Sequence, residues 1–116
     1  AFLVAQESAK RMLKRKSGSI FFTGATAGVK GFANSSVFAM GKFGLRGLAQ
    51  SLARELHPQN IHIGHFIIDG GIGLKSDTNY KMIHPDSIAK TYLDFYDQDS
   101  SAWSWEIELR TSKEKF

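Results

Sequence analysis

Apolar positions along the chain follow two alternating rhythms, and the change from one to the other marks out its elements. From Phe2 to Lys16, Phe2, Ala5, Ala9, Met12 and Leu13 recur at spacings of three and four, which predicts an amphipathic helix stopped by Ser17-Gly18. Ser19 to Thr23 is a short β-rich run with glycine on both sides, the pattern of a buried parallel strand. Asn34 or Ser35 is placed to cap a second helix, which runs to about Leu56 and is stopped by His57-Pro58. Ile61 to Ile68 is a second strand, too apolar at its end to be half solvated. Leu74 to Ile83 has little periodicity and reads as a mobile loop of the kind that acts as a lid. Pro85 opens a helix to about Tyr96 with Ile88, Tyr92, Leu93 and Tyr96 as its apolar face. Trp103 to Arg110 alternates strictly, so Trp103, Trp105, Ile107 and Leu109 are expected on one face of a third strand at a sheet edge.

The order α-β-α-β-α-β predicts an α/β fold, Rossmann-like and three-layered, with about three parallel strands in one domain over residues 1–116. Ligands of such sheets sit beyond the carboxyl ends of the strands. The elbows Thr23 to Gly28 and Asp69 to Gly73 are therefore where chemistry is expected. Gly41, Gly44 and Gly47 lie inside the second helix, and each costs roughly 1 kcal/mol relative to alanine there. Another helix or a cofactor is expected to press on that bare backbone.

Composition narrows the classes. Hydrophobic content of 42% and charged content of 22% are those of a globular protein. Absence of cysteine excludes disulfides, thiolate metal sites and a cysteine nucleophile, and makes the cytoplasm the expected compartment. No apolar run approaches the roughly 20 residues of a membrane span, and Ala1 to Ala5 reads as the start of a helix. The net charge of +4 concentrates in Lys10, Arg11, Lys14, Arg15 and Lys16. No aromatic residue interleaves with them, so they are read as cations opposing a helix dipole, not as a nucleic-acid surface. Among the four histidines, His62 and His65 are three apart on a strand and face opposite ways. They cannot share an ion, and no metal site is expected. Asp69 reads as a turn carboxylate accepting backbone N–H bonds, with a general base as the alternative. Trp103 and Trp105 read as core.

Phe38 and Lys42 are four apart on one helical face, with Thr26 on the elbow upstream. Here the sequence resembles the short-chain dehydrogenase/reductase family, in its C-terminal, catalytic half. Gly18 to Thr26 looks like the family's serine-bearing strand and elbow, with Thr26 nearest the serine. Phe38-Ala39-Met40-Gly41-Lys42 sits on the Tyr-x-x-x-Lys motif, and Asp69-Gly70-Gly71-Ile72 on the Pro-Gly-x-Ile elbow that touches the nicotinamide. The resemblance implies catalytic positions Thr26, Phe38 and Lys42, cofactor contacts from Lys42, Gly70 and Ile72, and NAD or NADP as cofactor. It also implies a small carbonyl or alcohol substrate and a homo-oligomer formed through helices 2–16 and 35–56. Three departures change the expectation. Phe38 replaces the catalytic tyrosine and has no hydroxyl. Leu74 stands near the elbow threonine, with Ser76 as stand-in. The family's first half, with its nucleotide fingerprint, is missing from these residues, so weak or no dinucleotide binding is expected of the chain alone. A second reading treats Thr23 to Gly31 as that fingerprint itself. Against it, a helix precedes the strand, and Asp69 lies far beyond the roughly 20 residues expected to a ribose-binding carboxylate. The competing function is a non-catalytic interaction domain on the same scaffold.

Overall fold

A computed structural model describes residues 1–74 and 81–115. Helix α1 (Phe2–Arg15) leads into strand β1 (Gly18–Ala25), helix α2 (Ser36–Leu56), strand β2 (Ile61–Ile68), helix α3 (Pro85–Tyr96) and strand β3 (Glu106–Leu109). The strands form one parallel sheet in the order β1-β2-β3, with Gly18 opposite Ile61, Ala25 opposite Ile68, and Ile68 opposite Leu109. Every residue of β2 is buried, as expected of a central parallel strand whose neighbours and helices cover both faces.

Local chemistry explains the boundaries. Lys16 takes the left-handed conformation at φ 52°, and the Lys16 and Ser17 amides return to the carbonyls of Leu13 and Met12, closing α1. Ser35 is the N-cap residue of α2, although its side chain makes no capping bond. Asn60, at φ 63°, turns the chain from a 3-10 turn at His57–Gln59 into β2.

The sheet separates two cores. On one face, α1 and α2 press Ala5, Ala9, Ala49, Ala53 and Leu56 onto Phe22, Ile61 and Ile63. On the other, Phe95 of α3 joins Phe66 and Ile68, with Phe21, Tyr92, Ile107 and Leu109 around them. One expectation needs correction. Trp105 packs with the α1/α2 core while Ile107 and Leu109 pack with the α3 core. The chain bends at Trp105 and the strand begins only at Glu106, so the alternation read across Trp103 to Arg110 breaks at Trp105, while Trp103 stacks on His62 at the α3 side. A Cβ added at Gly41, Gly44 or Gly47 would meet nothing within 4 Å among the described residues, so no described element of this chain presses on that backbone.

Candidate active site

Both elbows lie at the carboxyl end of the sheet, because β1 and β2 run parallel and in register to Ala25 and Ile68. After β1 a 3-10 turn, Thr26–Gly28, carries the chain sideways before α2 begins at Ser36. That detour disfavours the reading of Thr23 to Gly31 as a nucleotide fingerprint, in which a glycine turn feeds directly into the helix that binds the pyrophosphate. The turn is fixed against α2 at Gly28, where a Cβ would stand 3.2 Å from the Lys42 carbonyl oxygen.

Thr26 and Phe38 line a cleft of about 300 Å³ with Ala25, Ala27, Phe32, Ser35, Ile68 and Gly70. Lys42 lies beside it, Nζ donating to the Thr23 carbonyl oxygen at 3.1 Å and standing 5.8 Å from the centre of the Phe38 ring. Ile72 is 55% exposed on the second elbow, which a bridge to Ile83 holds in place. The structure thus gathers Thr26, Phe38 and Gly70 into one cleft and leaves Lys42 and Ile72 at its margin. Ser76 lies outside the described residues, as does most of the stretch read as a lid.

Asp69 departs from the sequence expectation. Its oxygens are taken by side chains: Thr26 Oγ1 donates to Oδ1 at 2.5 Å, and Arg110 Nη2 pairs with Oδ2 at 2.8 Å. Arg110 also pairs with Glu108. Residue 69 is only 8% exposed, so this ion pair ties the second elbow to the end of β3.

Beneath the cleft lies a polar cluster that sequence reasoning missed. Arg46, one helical turn past Lys42, donates to Glu106 through Nε at 2.7 Å and Nη2 at 3.0 Å. His65, fully buried, donates from Nδ1 to the same carboxylate at 3.0 Å. Burial lowers the His65 pKa and outweighs the pull of Glu106, so this contact is a neutral imidazole on a carboxylate. Burial alone would raise Glu106, but the Arg46 and His65 bonds and charges hold it below the usual carboxylate value. The Arg46 guanidinium is raised by its bond to Glu106. Gly24 is required here by close approach: a Cβ would come within 2.3 Å of His65 Nε2. Only the strand periodicity that turns His65 away from His62 hinted at this arrangement. His62 does face the other way, stacked between Phe95 and Trp103. Among the described residues no group of histidine, aspartate and glutamate side chains could hold a metal ion, and no helix is long and apolar enough to cross a membrane.

Residues 1–75 match the family model described as short chain dehydrogenase. The chain belongs to the short-chain dehydrogenase family. A 3-oxoacyl-[acyl-carrier-protein] reductase MabA from Mycobacterium bovis is 39% identical over 61 residues, covering 53% of this chain and 25% of the relative. Sepiapterin reductase from Chlorobaculum tepidum is 30% identical over 115 residues, covering 94% of this chain and 47% of the relative. Among solved structures, a short-chain dehydrogenase from Rhodopseudomonas palustris superposes with a TM-score of 0.77 at 46% identity, over 90% of this chain and 43% of that one. The chain therefore spans less than half the length of these short-chain dehydrogenase relatives, and the cleft at its strand ends is part of a short-chain dehydrogenase scaffold.

Proposed function

We propose that the chain is the catalytic half of an NAD(P)-dependent oxidoreductase acting on a small carbonyl or alcohol, with activity impaired by Phe38. The supporting observation is the convergence of Thr26 and Phe38 in one cleft with the Lys42 ammonium at its margin. In this reading Thr26 and Phe38 stand on the substrate side, and Lys42, Gly70 and Ile72 face the nicotinamide end of the cofactor. The residues fit that end. Lys42 spends one N–H on the Thr23 carbonyl and keeps donors for ribose hydroxyls. Gly70, at φ 149°, leaves the elbow free of a side chain, and Ile72 offers an apolar surface. They do not supply the phosphate cradle: among the described residues no helix opens directly from a glycine turn after a strand. Dinucleotide binding by this chain alone is accordingly weak or absent.

The nicotinamide, when bound, supplies hydride chemistry. The chain's part is to orient the ribose through Lys42, hold the substrate against the Phe38 ring and Ile68, and keep Thr26 in place through Asp69. Proton transfer is the missing function, since Phe38 has no hydroxyl and a positioned acid or base is worth about 10²–10⁴-fold in rate. The test is hydride transfer by this chain joined to a nucleotide-binding half of the same family, assayed with a panel of alcohols and ketones and either cofactor. Slow turnover that Lys42→Ala reduces at least about tenfold supports the reading. No turnover with any pair, together with no cofactor binding, would overturn it.

A second reading, a non-catalytic oligomerisation domain, is favoured by a different observation. Leu3 and Val4 of α1 and Val37, Met40 and Phe43 of α2 are exposed, and among the described residues nothing lies within 4 Å of a Cβ added at the α2 glycines. Both readings share one expectation: self-association through α1 and α2, because exposed apolar patches of this kind seek partners. Light scattering at high micromolar concentration checks it, and a monodisperse monomer would exclude it.

A further inference from the structure

We infer that a pocket between the last two turns of α2 and the start of β3 binds a single-ring aromatic monocarboxylate. None of its lining residues lines the cleft at the elbows, and the inference does not rest on the function proposed above. The pocket is a consequence of topology. α1 and α2 share one face of the sheet and α3 takes the other, so among the described residues two helices cover three strands on the first face. The flank of α2 beside β3 is left open, and Trp105 fills only part of the gap. Gln50, Ala53, Arg54 and His57 stand at i, i+3, i+4 and i+7 and form one stripe along that flank. Ala53, Pro58 and the indole of Trp105 supply apolar wall to a space of about 310 Å³, the small end of ligand sites, which suits one ring.

Charge selects the other half of the ligand. Arg54 makes no ion pair or hydrogen bond among the described residues. The two carboxylates that adjoin the pocket in sequence do not neutralise it: Glu55 lines the groove on the α1 side of α2, and Glu106 is held by Arg46 and His65. Arg46, 5.8 Å from the indole centre, is itself paired with that carboxylate. His57 Nε2 accepts the Ile63 amide hydrogen at 3.1 Å, so the ring hydrogen sits on Nδ1 and the side chain has a donor left to offer. The one full charge on the wall is therefore the Arg54 cation, which calls for a monoanion. A planar carboxylate matches the parallel N–H groups of a guanidinium, and an aromatic body packs against an indole in offset or edge geometry. Inorganic phosphate has no body for the apolar wall and carries more charge than one guanidinium offsets. The stripe runs along the flank of α2, not off its end, so the negative pole of the helix does not set the sign here.

The test titrates the isotope-labelled chain at constant ionic strength with benzoate, benzamide, cyclohexanecarboxylate and inorganic phosphate. It follows the amides of Gln50, Ala53 and His57 and the indole N–H of Trp105, with the amides of Thr26, Phe38 and Gly70 as reference. Benzoate should shift the first set and leave the reference still. Benzamide, the same shape without the charge, should bind about tenfold more weakly, the scale of a charge-assisted bond lost. Cyclohexanecarboxylate, which keeps the charge without the ring face, should bind severalfold more weakly. Arg54 is exposed, so Arg54→Gln keeps the fold and should lower benzoate affinity about tenfold while leaving that of benzamide unchanged, a split that a disturbed fold does not produce. Equal binding of benzoate and either analogue, unchanged benzoate affinity in Arg54→Gln, displacement of benzoate by equimolar phosphate, or no shift up to the solubility of benzoate would each overturn the inference. Signals of the first set that move with protein concentration alone would place a second copy of the chain on the pocket and would overturn it equally.

Discussion

The two faces of the sheet are packed by different chemistry. Under α1 and α2 lie alanines and aliphatic side chains that let the helices approach closely, interrupted by the Arg46–Glu106–His65 cluster. Under α3 lie aromatic rings: Phe66 stacks on Tyr92 with centroids 3.7 Å apart, and Phe21 meets Phe66, Phe95 and Tyr92 edge to face. The contrast separates holding the sheet from aiming the site. Aromatic burial is non-directional and large in area, whereas a bidentate guanidinium on a carboxylate fixes an angle and a register. Arg46 docks α2 at the residue one turn beyond Lys42, on the face that carries the site.

Breaking the aromatic face should have the largest effect. Phe66→Ala removes a fully buried ring and should cost about 3–5 kcal/mol, read as a fall in the denaturant midpoint; a cost below that of any polar-cluster variant would reverse the ranking of the two faces. Glu106→Gln should cost about 1–3 kcal/mol, because it leaves a buried imidazole and a guanidinium sharing a neutral partner, and it should perturb the Lys42 and Thr23 amides more than Phe66→Ala does per unit of stability lost. A cost within error would mean that the cluster does not dock α2.

The pH dependence follows from the same cluster. His62 and His65 are both held below their ordinary 6.5, by burial first. Between that value and the lower folded one, the unfolded chain binds more protons, so stability is full above about pH 6.5 and declines as pH falls. Glu106, depressed below its ordinary 4.5, adds a second loss in the same direction at lower pH. Urea midpoints at pH 7.5, 6 and 5 should decrease in that order, and a flat or rising series would contradict the neutral imidazole. The smallest effect belongs to the exposed Lys90–Asp94 pair on α3. Lys90→Ala should leave the midpoint unmoved within error.

Much of this was legible because periodicity reports burial. The continuous apolar run Ile61 to Ile68 announces a strand covered on both faces, and it is buried throughout. Opposite orientation of His62 and His65 follows from strand geometry alone. Helical spacing puts Phe38 and Lys42 on one face, and the structure sets Phe38 and Thr26 in one cleft with Lys42 beside it. What failed, failed for physical reasons. Trp103 and Trp105 alternate in sequence, but a bend at residue 105 ends the period before the strand starts. Arg110 and Glu106 are distant in sequence from Asp69, His65 and Arg46, and only the pairing of β3 with β2 brings them together. No local pattern encodes a contact made by register between distant strands.

The most direct test of the account is to restore the absent hydroxyl. In this chain joined to a nucleotide-binding half of the family, Phe38→Tyr places a phenol beside the Lys42 ammonium, which stands 5.8 Å from the present ring centre. The alcohol and ketone panel with NAD(H) and NADP(H) should then show a gain in turnover of about a hundredfold, the lower range of what a positioned acid or base contributes. Turnover that is already fast in the unmutated protein, lost on Lys42→Ala and unchanged by Phe38→Tyr, would contradict the claim that residue 38 is where the chemistry is missing.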